Sequence, residues 1–244
     1  MTKFPRQFAD LLSREGKKVL DGSHRTLSGA LATGRSRFVS AGSLLDKTKS
    51  RAVMALLHET LTPHLFVMEQ AIPKSATWGM KVAYREKLPK TVRVRTAMLD
   101  EDESPALKVA EQAGLIAMLR SASFHAFAEA LSGYPLRKQW GLQALCYLPG
   151  DYSGPHNDHH PDEPLGRDGY TDLHLTFATD DVDHQWLVYE KQAHLTEIES
   201  IRSLGGVTCY RLPFWHYTTP MVAKRGRETK ARRWVLLGTF LDRW

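Results

Sequence analysis

The stretch from Cys146 to His160 carries the densest set of residues able to do chemistry: Cys-Tyr-Leu-Pro-Gly-Asp-Tyr-Ser-Gly-Pro-His-Asn-Asp-His-His. An extended backbone from His156 to Asp158 would put positions i and i+2 on one side, so that an imidazole and a carboxylate converge on a common point. A third ligand is available in His216, 58 residues after Asp158. Two histidines and one carboxylate on one face of an octahedron leave three positions open, an arrangement suited to non-haem iron(II).

Alone, His-x-Asp is a weak signal. A loop rich in Gly, Pro, Asn and Asp ordinarily forms a solvated turn, and a lone histidine such as His216, between Trp215 and Tyr217, is ordinarily packed and hydrogen-bonded. The C-terminal segment Arg233 to Phe240 shifts the balance. An arginine heading a buried apolar strand is costly unless an anion pairs with it, and a guanidinium suits a bidentate grip on a carboxylate. Strand alternation turns only one of Arg232 and Arg233 inward; the other is an ordinary surface arginine.

Other residues near these candidates carry less specific signals. Tyr152 and Trp215 flank the ligand candidates and could contact substrate or pack in the core. Thr218 shares a strand face with His216 if that segment is extended, and would then line the same pocket. His159 and His160 read as solvated loop residues or substrate-facing groups at the mouth of the site. A zinc site using these with His174 and His184 lacks the zincin or Cys/His finger spacing. Asp180, Asp181 and Asp183 form too short an acidic run for a calcium loop and read as an exposed turn.

These side chains need a scaffold, and the texture of the chain supplies one. Apolar positions Leu44, Leu45, Ala52, Ala55, Leu56 and Leu57 recur at helical spacing from Ser43. Leu65 to Met68 is a short strand, and Thr91 to Thr96 alternates with period two. Ser104-Pro105 is an N-cap followed by proline at the first helical position. The Ala/Leu-rich stretch that follows can divide at Gly114 and Ser121, with Gly133 as its stop signal. Beyond Gly133 the segments 142–147, 172–179, 185–189, 206–212 and 234–240 are short, rich in β-formers and separated by turn residues. The expected fold is α+β, with a helical N-terminal half covering an antiparallel barrel or sandwich.

Composition excludes other classes. The chain has 244 residues, 42% hydrophobic and 25% charged, which is ordinary for a globular protein. No apolar run is long enough to span a bilayer, and the N-terminus lacks the apolar stretch of a secretory signal. Cys146 and Cys209 cannot build a disulfide framework and read as buried thiols, so a cytoplasmic location is the default expectation. The net charge of +6 is small for this length, and its densest stretch, 224–233, runs into the apolar C-terminal strand. A nucleic-acid partner is therefore disfavoured.

In order and spacing these elements resemble the iron(II)- and 2-oxoglutarate-dependent dioxygenases, in particular the prolyl 4-hydroxylase-like branch. The resemblance rests on Tyr147 to Gly150, then His156 with Asp158, then His216 with Pro220, then Arg233, over about residues 140 to 244. It implies a double-stranded β-helix (jelly-roll, cupin-like) core with supporting N-terminal helices in one domain, 1–135 mainly helical support with some strands and 136–244 the catalytic core. It further implies iron(II) on His156, Asp158 and His216, and 2-oxoglutarate anchored by Arg233 and the Tyr147 hydroxyl, with Thr218 lining that pocket. Tyr152, His159 and Trp215 are then the substrate candidates. The implied reaction hydroxylates an unactivated C–H bond with dioxygen, releasing succinate and carbon dioxide, with ascorbate as a supporting reductant.

Branch-specific features narrow this reading. Arg232-Arg233 stands where prolyl hydroxylases often have Gly and a basic residue, and Val235 replaces the serine of the plant-type Arg-x-Ser pair. Leu237 and Thr239 do not fit the nucleic-acid demethylase strand, and Asp158 argues against a halogenase. The expected substrate is a small molecule or amino-acid-like compound. A peptidyl hydroxylase, an RNA modifier and a non-catalytic cupin-like metal-binding module are the alternatives.

Overall fold

The computed structural model describes residues 3–34, 36–77, 79–158, 169–213 and 215–243. Local signals set most helix boundaries in the first half. Helix α1 (Arg14–Leu20) starts at Ser13, whose hydroxyl accepts from the Gly16 amide. Strand β1 (Phe38–Ala41) precedes α2 (Lys47–Leu61). The periodicity suggested that α2 begins at Ser43, but the Asp46 carboxylate accepts from the Lys49 amide and fixes the start later, leaving Leu44 and Leu45 buried ahead of the helix. Then come β2 (Phe66–Ala71), α3 (Val82–Lys87) and β3 (Thr91–Met98).

The Ala/Leu-rich stretch divides as its punctuation predicts, into α4 (Pro105–Ala113), α5 (Leu115–Leu119) and α6 (Ala122–Ser132). The Ser104 and Ser121 hydroxyls cap α4 and α6, accepting from the Leu107 and Phe124 amides. Gly114 ends α4 at φ +88°, and Gly133 ends α6 at φ +75°, a conformation that glycine adopts without a Cβ penalty.

Among the described residues ten strands follow: β4 (Leu136–Tyr147), β5 (Tyr152–His156), β6 (Tyr170–Ala178), β7 (Val182–His184), β8 (Trp186–Lys191), β9 (His194–Ser200), β10 (Leu204–Leu212), β11 (His216–Thr218), β12 (Val222–Ala223) and β13 (Arg233–Asp242). The sheet runs β1-β10-β6-β13-β4-β3-β5-β11-β8-β9, all antiparallel, with β2 also on β3. Strand β3 is the joint between its two limbs: Arg95 to Met98 pair with β4, whereas Val92 and Arg93 pair with β5. Residues of both limbs line one cavity, so the sheet closes into a nearly complete barrel, the double-stranded β-helix expected from the sequence. The N-terminal half thus supplies three strands of this sheet as well as the helices. Strand β9 escaped the sequence reading because it is an edge strand, alternately exposed and half-buried, with no buried apolar face to mark it.

The helices cover the outer face of the β4-β13-β6-β10 limb. One apolar cluster joins Phe8, Phe124 and Phe127 to Phe177, Trp234 and Phe240, all fully buried. Each such side chain contributes about 1.5–3 kcal/mol of burial free energy. Both cysteines are buried and free, and burial pushes the Cys146 thiol up to about 12. Among the described residues no helix is long and apolar enough to cross a membrane.

Candidate metal centre

The turn between β4 and β5 sets the geometry. Pro149 and Gly150 occupy its central positions, Gly150 at φ +88°, and the Asp151 amide donates to the Leu148 carbonyl at 2.9 Å. Asp151 is buried, its carboxylate accepting from the Leu148 amide at 2.8 Å and paired with Arg95. This staple fixes where β5 begins and so where His156 arrives.

His156 and His216 are direct cross-strand partners on β5 and β11, their ring centroids 4.4 Å apart. Asp158 closes the group, one carboxylate oxygen 3.0 Å from His156 Nε2 and the other 3.4 Å from His216 Nε2. One ligand atom from each lies within 4.8 Å of the others. The convergence is not produced by an extended His-x-Asp segment. Strand β5 ends at His156, and Asp158 has φ +53°, a left-handed conformation that Asp tolerates, which swings its carboxylate back toward the imidazoles.

The electrostatics suit a cation. His156 Nδ1 lies 2.6 Å from the Gly154 carbonyl, which as acceptor fixes the tautomer and leaves Nε2 facing the centre. Burial alone would raise the Asp158 carboxyl; the charge and hydrogen bond of His156, with His216 behind, outweigh it and hold Asp158 well below the usual carboxylate range.

Arg233 opens β13 opposite Tyr147 and is only 4% exposed. Its Nε donates to Gln185 Oε1 at 2.7 Å, and its guanidinium carbon lies 4.3 Å from the Tyr147 ring centroid. Among the described residues it has no carboxylate partner. Arg232 points the other way, to His58 and the Thr229 carbonyl, so alternation resolves the adjacent pair as the sequence required. Burial raises the Tyr147 phenol, opposed by Arg233 and the Thr218 hydroxyl. Thr218 is buried, and its oxygen accepts from the Ser153 amide at 2.8 Å.

His156, Asp158, His216, Arg233, Tyr147 and Thr218 all line one cavity of about 300 Å³. The substrate candidates fare differently. Tyr152 does not line the cavity; its hydroxyl bonds Thr91 instead. Even alternation would put Tyr152 and His156 on one face, but the β5–β11 register slips, with Ser153 opposite Thr218 and His156 opposite His216. That bulge turns Ser153 inward in place of Tyr152. Trp215, next to an inward His216, lies in a separate small cleft with Gly79, Tyr84 and Glu190. His159 and His160 lie outside the described residues. His184 is half-buried beside Asp183 and does not line the cavity.

Sequence reasoning overlooked Gln185 and Tyr210, and it weighed His174 only as a zinc ligand. Asp172, His174 and Thr176 stand at every second position of β6 and face the cavity, while Leu173, Leu175 and Phe177 enter the apolar core. Polar residues at alternate positions of an otherwise apolar strand were the available signal.

No protein-family model matches the sequence, and a search of curated proteins finds no match. Solved structures do match. An oxidoreductase of the 2OG-Fe(II) oxygenase family from Burkholderia pseudomallei is 14% identical, with 97% of this chain and 91% of that one covered at a TM-score of 0.55. A Pseudomonas putida prolyl-4-hydroxylase is also 14% identical, with 88% and 99% covered at 0.48. A non-haem alpha-ketoglutarate-dependent carbocyclase, SnoK from nogalamycin biosynthesis, is 15% identical, with 96% and 85% covered at 0.48. The chain thus has the fold of a 2OG-Fe(II) oxygenase, with a His-Asp-His group able to hold a metal ion inside its barrel.

Proposed function

We propose that this protein is an iron(II)- and 2-oxoglutarate-dependent oxygenase that hydroxylates a C–H bond of a small-molecule substrate. The observation that carries the reading is the meeting, in one cavity, of a three-ligand group and a buried arginine with no carboxylate of the described protein to pair with. A buried unpaired guanidinium is costly, and a bound dicarboxylate would offset that cost. The donor set of two imidazoles and one carboxylate fits iron(II) with open positions.

His156, Asp158 and His216 would hold the metal, and Arg233 would hold the distal carboxylate of 2-oxoglutarate, with Tyr147 and Thr218 beside it. Held there, iron(II) with 2-oxoglutarate would supply dioxygen-dependent oxidation of a substrate C–H bond, with succinate and carbon dioxide as co-products. The chain's own part is positional. Gly154 fixes the His156 tautomer, Gln185 orients the guanidinium, and the apolar walls Val94, Leu145, Leu187 and Val235 exclude water. A cavity of about 300 Å³ is small for a peptide loop and supports a compact substrate.

The test is succinate formation from 2-oxoglutarate with iron(II) and ascorbate, with a compound library screened for a mass gain of one oxygen. Succinate that rises with a library compound supports the reading. Absence of iron binding and of any turnover would favour a non-catalytic metal-binding module.

A further inference from the structure

The cavity has a second polar end, chemically opposite to the first. Arg233 lies across from Ala178 on β6, whereas Asp172 lies across from Thr239, six residues farther along β13. At about 3.3 Å per residue the two are separated by roughly 20 Å of strand. The cavity thus holds an anionic side chain well removed along β13 from the cationic Arg233.

Asp172 is only 4% exposed, and its Oδ1 has no hydrogen-bond partner among the described residues. Its other oxygen is 3.7 Å from His174 Nε2, and the Tyr210 hydroxyl lies 2.8 Å from that same nitrogen. The three side chains form a wall that reaches the metal-ligand candidates, since the Tyr210 ring is centred 5.2 Å from that of His216. No Lys or Arg among the described residues pairs with Asp172. Arg211, the next residue after Tyr210, points away and is taken by Asp242.

A buried carboxylate with an unused oxygen is costly unless a cation or strong donor meets it. The same charge repels a second carboxylate, so 2-oxoglutarate is directed to the Arg233 end.

From this we infer that Asp172, with His174 and Tyr210, forms the substrate subsite and that it takes a protonated primary amine. This deepens the oxygenase reading and rests on it: the ammonium group, held by Asp172, would fix which carbon of a compact substrate faces the metal.

The probes are matched pairs that differ only in charge: primary alkylamines of two to six carbons against the corresponding alcohols, and free L-amino acids against the corresponding 2-hydroxy acids. Binding to the manganese(II)-loaded protein with 2-oxoglutarate is measured by calorimetry, and repeated on the metal-free protein. At least one ammonium probe is expected to bind at least about tenfold more tightly than its hydroxyl twin, the scale of a charge-assisted hydrogen bond. In Asp172→Asn the preference is expected to fall within about threefold. Equal binding of every pair, preference for the hydroxyl twin, or a preference that survives in Asp172→Asn would overturn the inference. The comparison within the wild-type protein needs no variant to fold. Titration of 2-oxoglutarate itself keeps the two readings apart: if it fails to bind while the ammonium preference holds, the oxygenase reading fails and the amine subsite stands.

Discussion

Arg233 and Gln185, 48 residues apart in the chain, meet beside the cavity, where the arginine Nε–H donates to the glutamine side-chain oxygen at 2.7 Å. Gln185 is fully buried, and its amide nitrogen donates in turn to the Asp151 and Thr219 carbonyls. The amide plane is thus fixed at both ends, which holds the guanidinium fork toward the cavity. Gln185→Leu is expected to weaken 2-oxoglutarate binding about tenfold, the cost of one charge-assisted hydrogen bond. Gln185→Glu is expected to weaken it further, because the new carboxylate competes for Arg233. Calorimetric titration of 2-oxoglutarate into the manganese(II)-loaded variants checks both, and stronger binding in Gln185→Glu than in Gln185→Leu would refute the assignment.

Arg233 carries a second expectation, in which stability and function move in opposite directions. Its charge is buried without a carboxylate partner among the described residues, so Arg233→Met removes a desolvation cost while roughly keeping the apolar volume. The variant is expected to unfold at a higher temperature than the ligand-free wild type and to lose stabilisation by 2-oxoglutarate. Arg232→Ala, changed on the outward side, is expected to bind 2-oxoglutarate as the wild type does. Loss of binding in Arg232→Ala with retention in Arg233→Met would move the anchor by one residue.

For the metal, Asp158→Ala and His216→Ala are each expected to abolish iron-dependent succinate formation and to weaken manganese(II) binding at least about a hundredfold. Removing one of three protein ligands leaves too few donors for a stable site. Electron paramagnetic resonance of bound manganese(II) reads the second effect independently of turnover. Full activity in either variant would dismiss the His156, Asp158 and His216 set.

Much of this centre could be read from residue types and spacing, and the shortfalls share a cause. His216 and Arg233 were legible because each sits on a strand whose alternation is intact, which also turned Arg232 outward. Tyr152 was misplaced because even alternation cannot anticipate the bulge between β5 and β11. Asp158 reached the right place by another route, a left-handed residue past the strand end. Asp172 was marked by the polar alternation of β6, whereas Gln185, between β7 and β8, meets Arg233 only through the packing of segments 48 residues apart, which no local pattern encodes. The helical half was legible at its caps and glycines, whereas β1, only four residues long, and β9, an edge strand without a buried apolar face, left little periodic trace.

Asp172 also gives a pH signature. Burial raises its carboxyl above the ordinary value; the His174 hydrogen bond and charge and the Thr239 hydroxyl oppose this, while Asp158 adds to it. Tyr210 and His174 face it from β10 and from its own strand. With a raised native value the folded state holds the proton more tightly than the unfolded chain. Stability is then lost as pH rises from about 4, the unfolded value, through the native one. Asp172→Asn is therefore expected to be more stable than the wild type at pH 7, with the difference shrinking as pH falls toward 4. Denaturant titrations of both proteins across that range provide the measurement. A constant difference, or one that grows in acid, would contradict the assignment.

Gly154 links packing to the metal centre most directly. A Cβ at this position would stand 2.5 Å from the Pro89 carbonyl oxygen, 2.7 Å from the Thr91 carbonyl oxygen and 2.7 Å from Ile72 Cδ1. Two of these three are backbone atoms, so relief requires β5 to move away from β3. The Gly154 carbonyl is also the acceptor that fixes His156 Nδ1. Gly154→Ala is expected to cost about 1–3 kcal/mol of stability, the usual scale of overpacking. It should also weaken manganese(II) binding by about tenfold or more, because an unsupported imidazole loses its orientation. Ser153→Ala, one residue earlier, also lines the cavity but leaves the Gly154 backbone contact in place. It is expected to keep most of the metal affinity. If Gly154→Ala is destabilised yet binds manganese(II) as tightly as the wild type, the carbonyl is not what holds His156, and the orientation must come from the Ser153 hydroxyl, 3.5 Å from Nδ1, or from the His216 side of the pair.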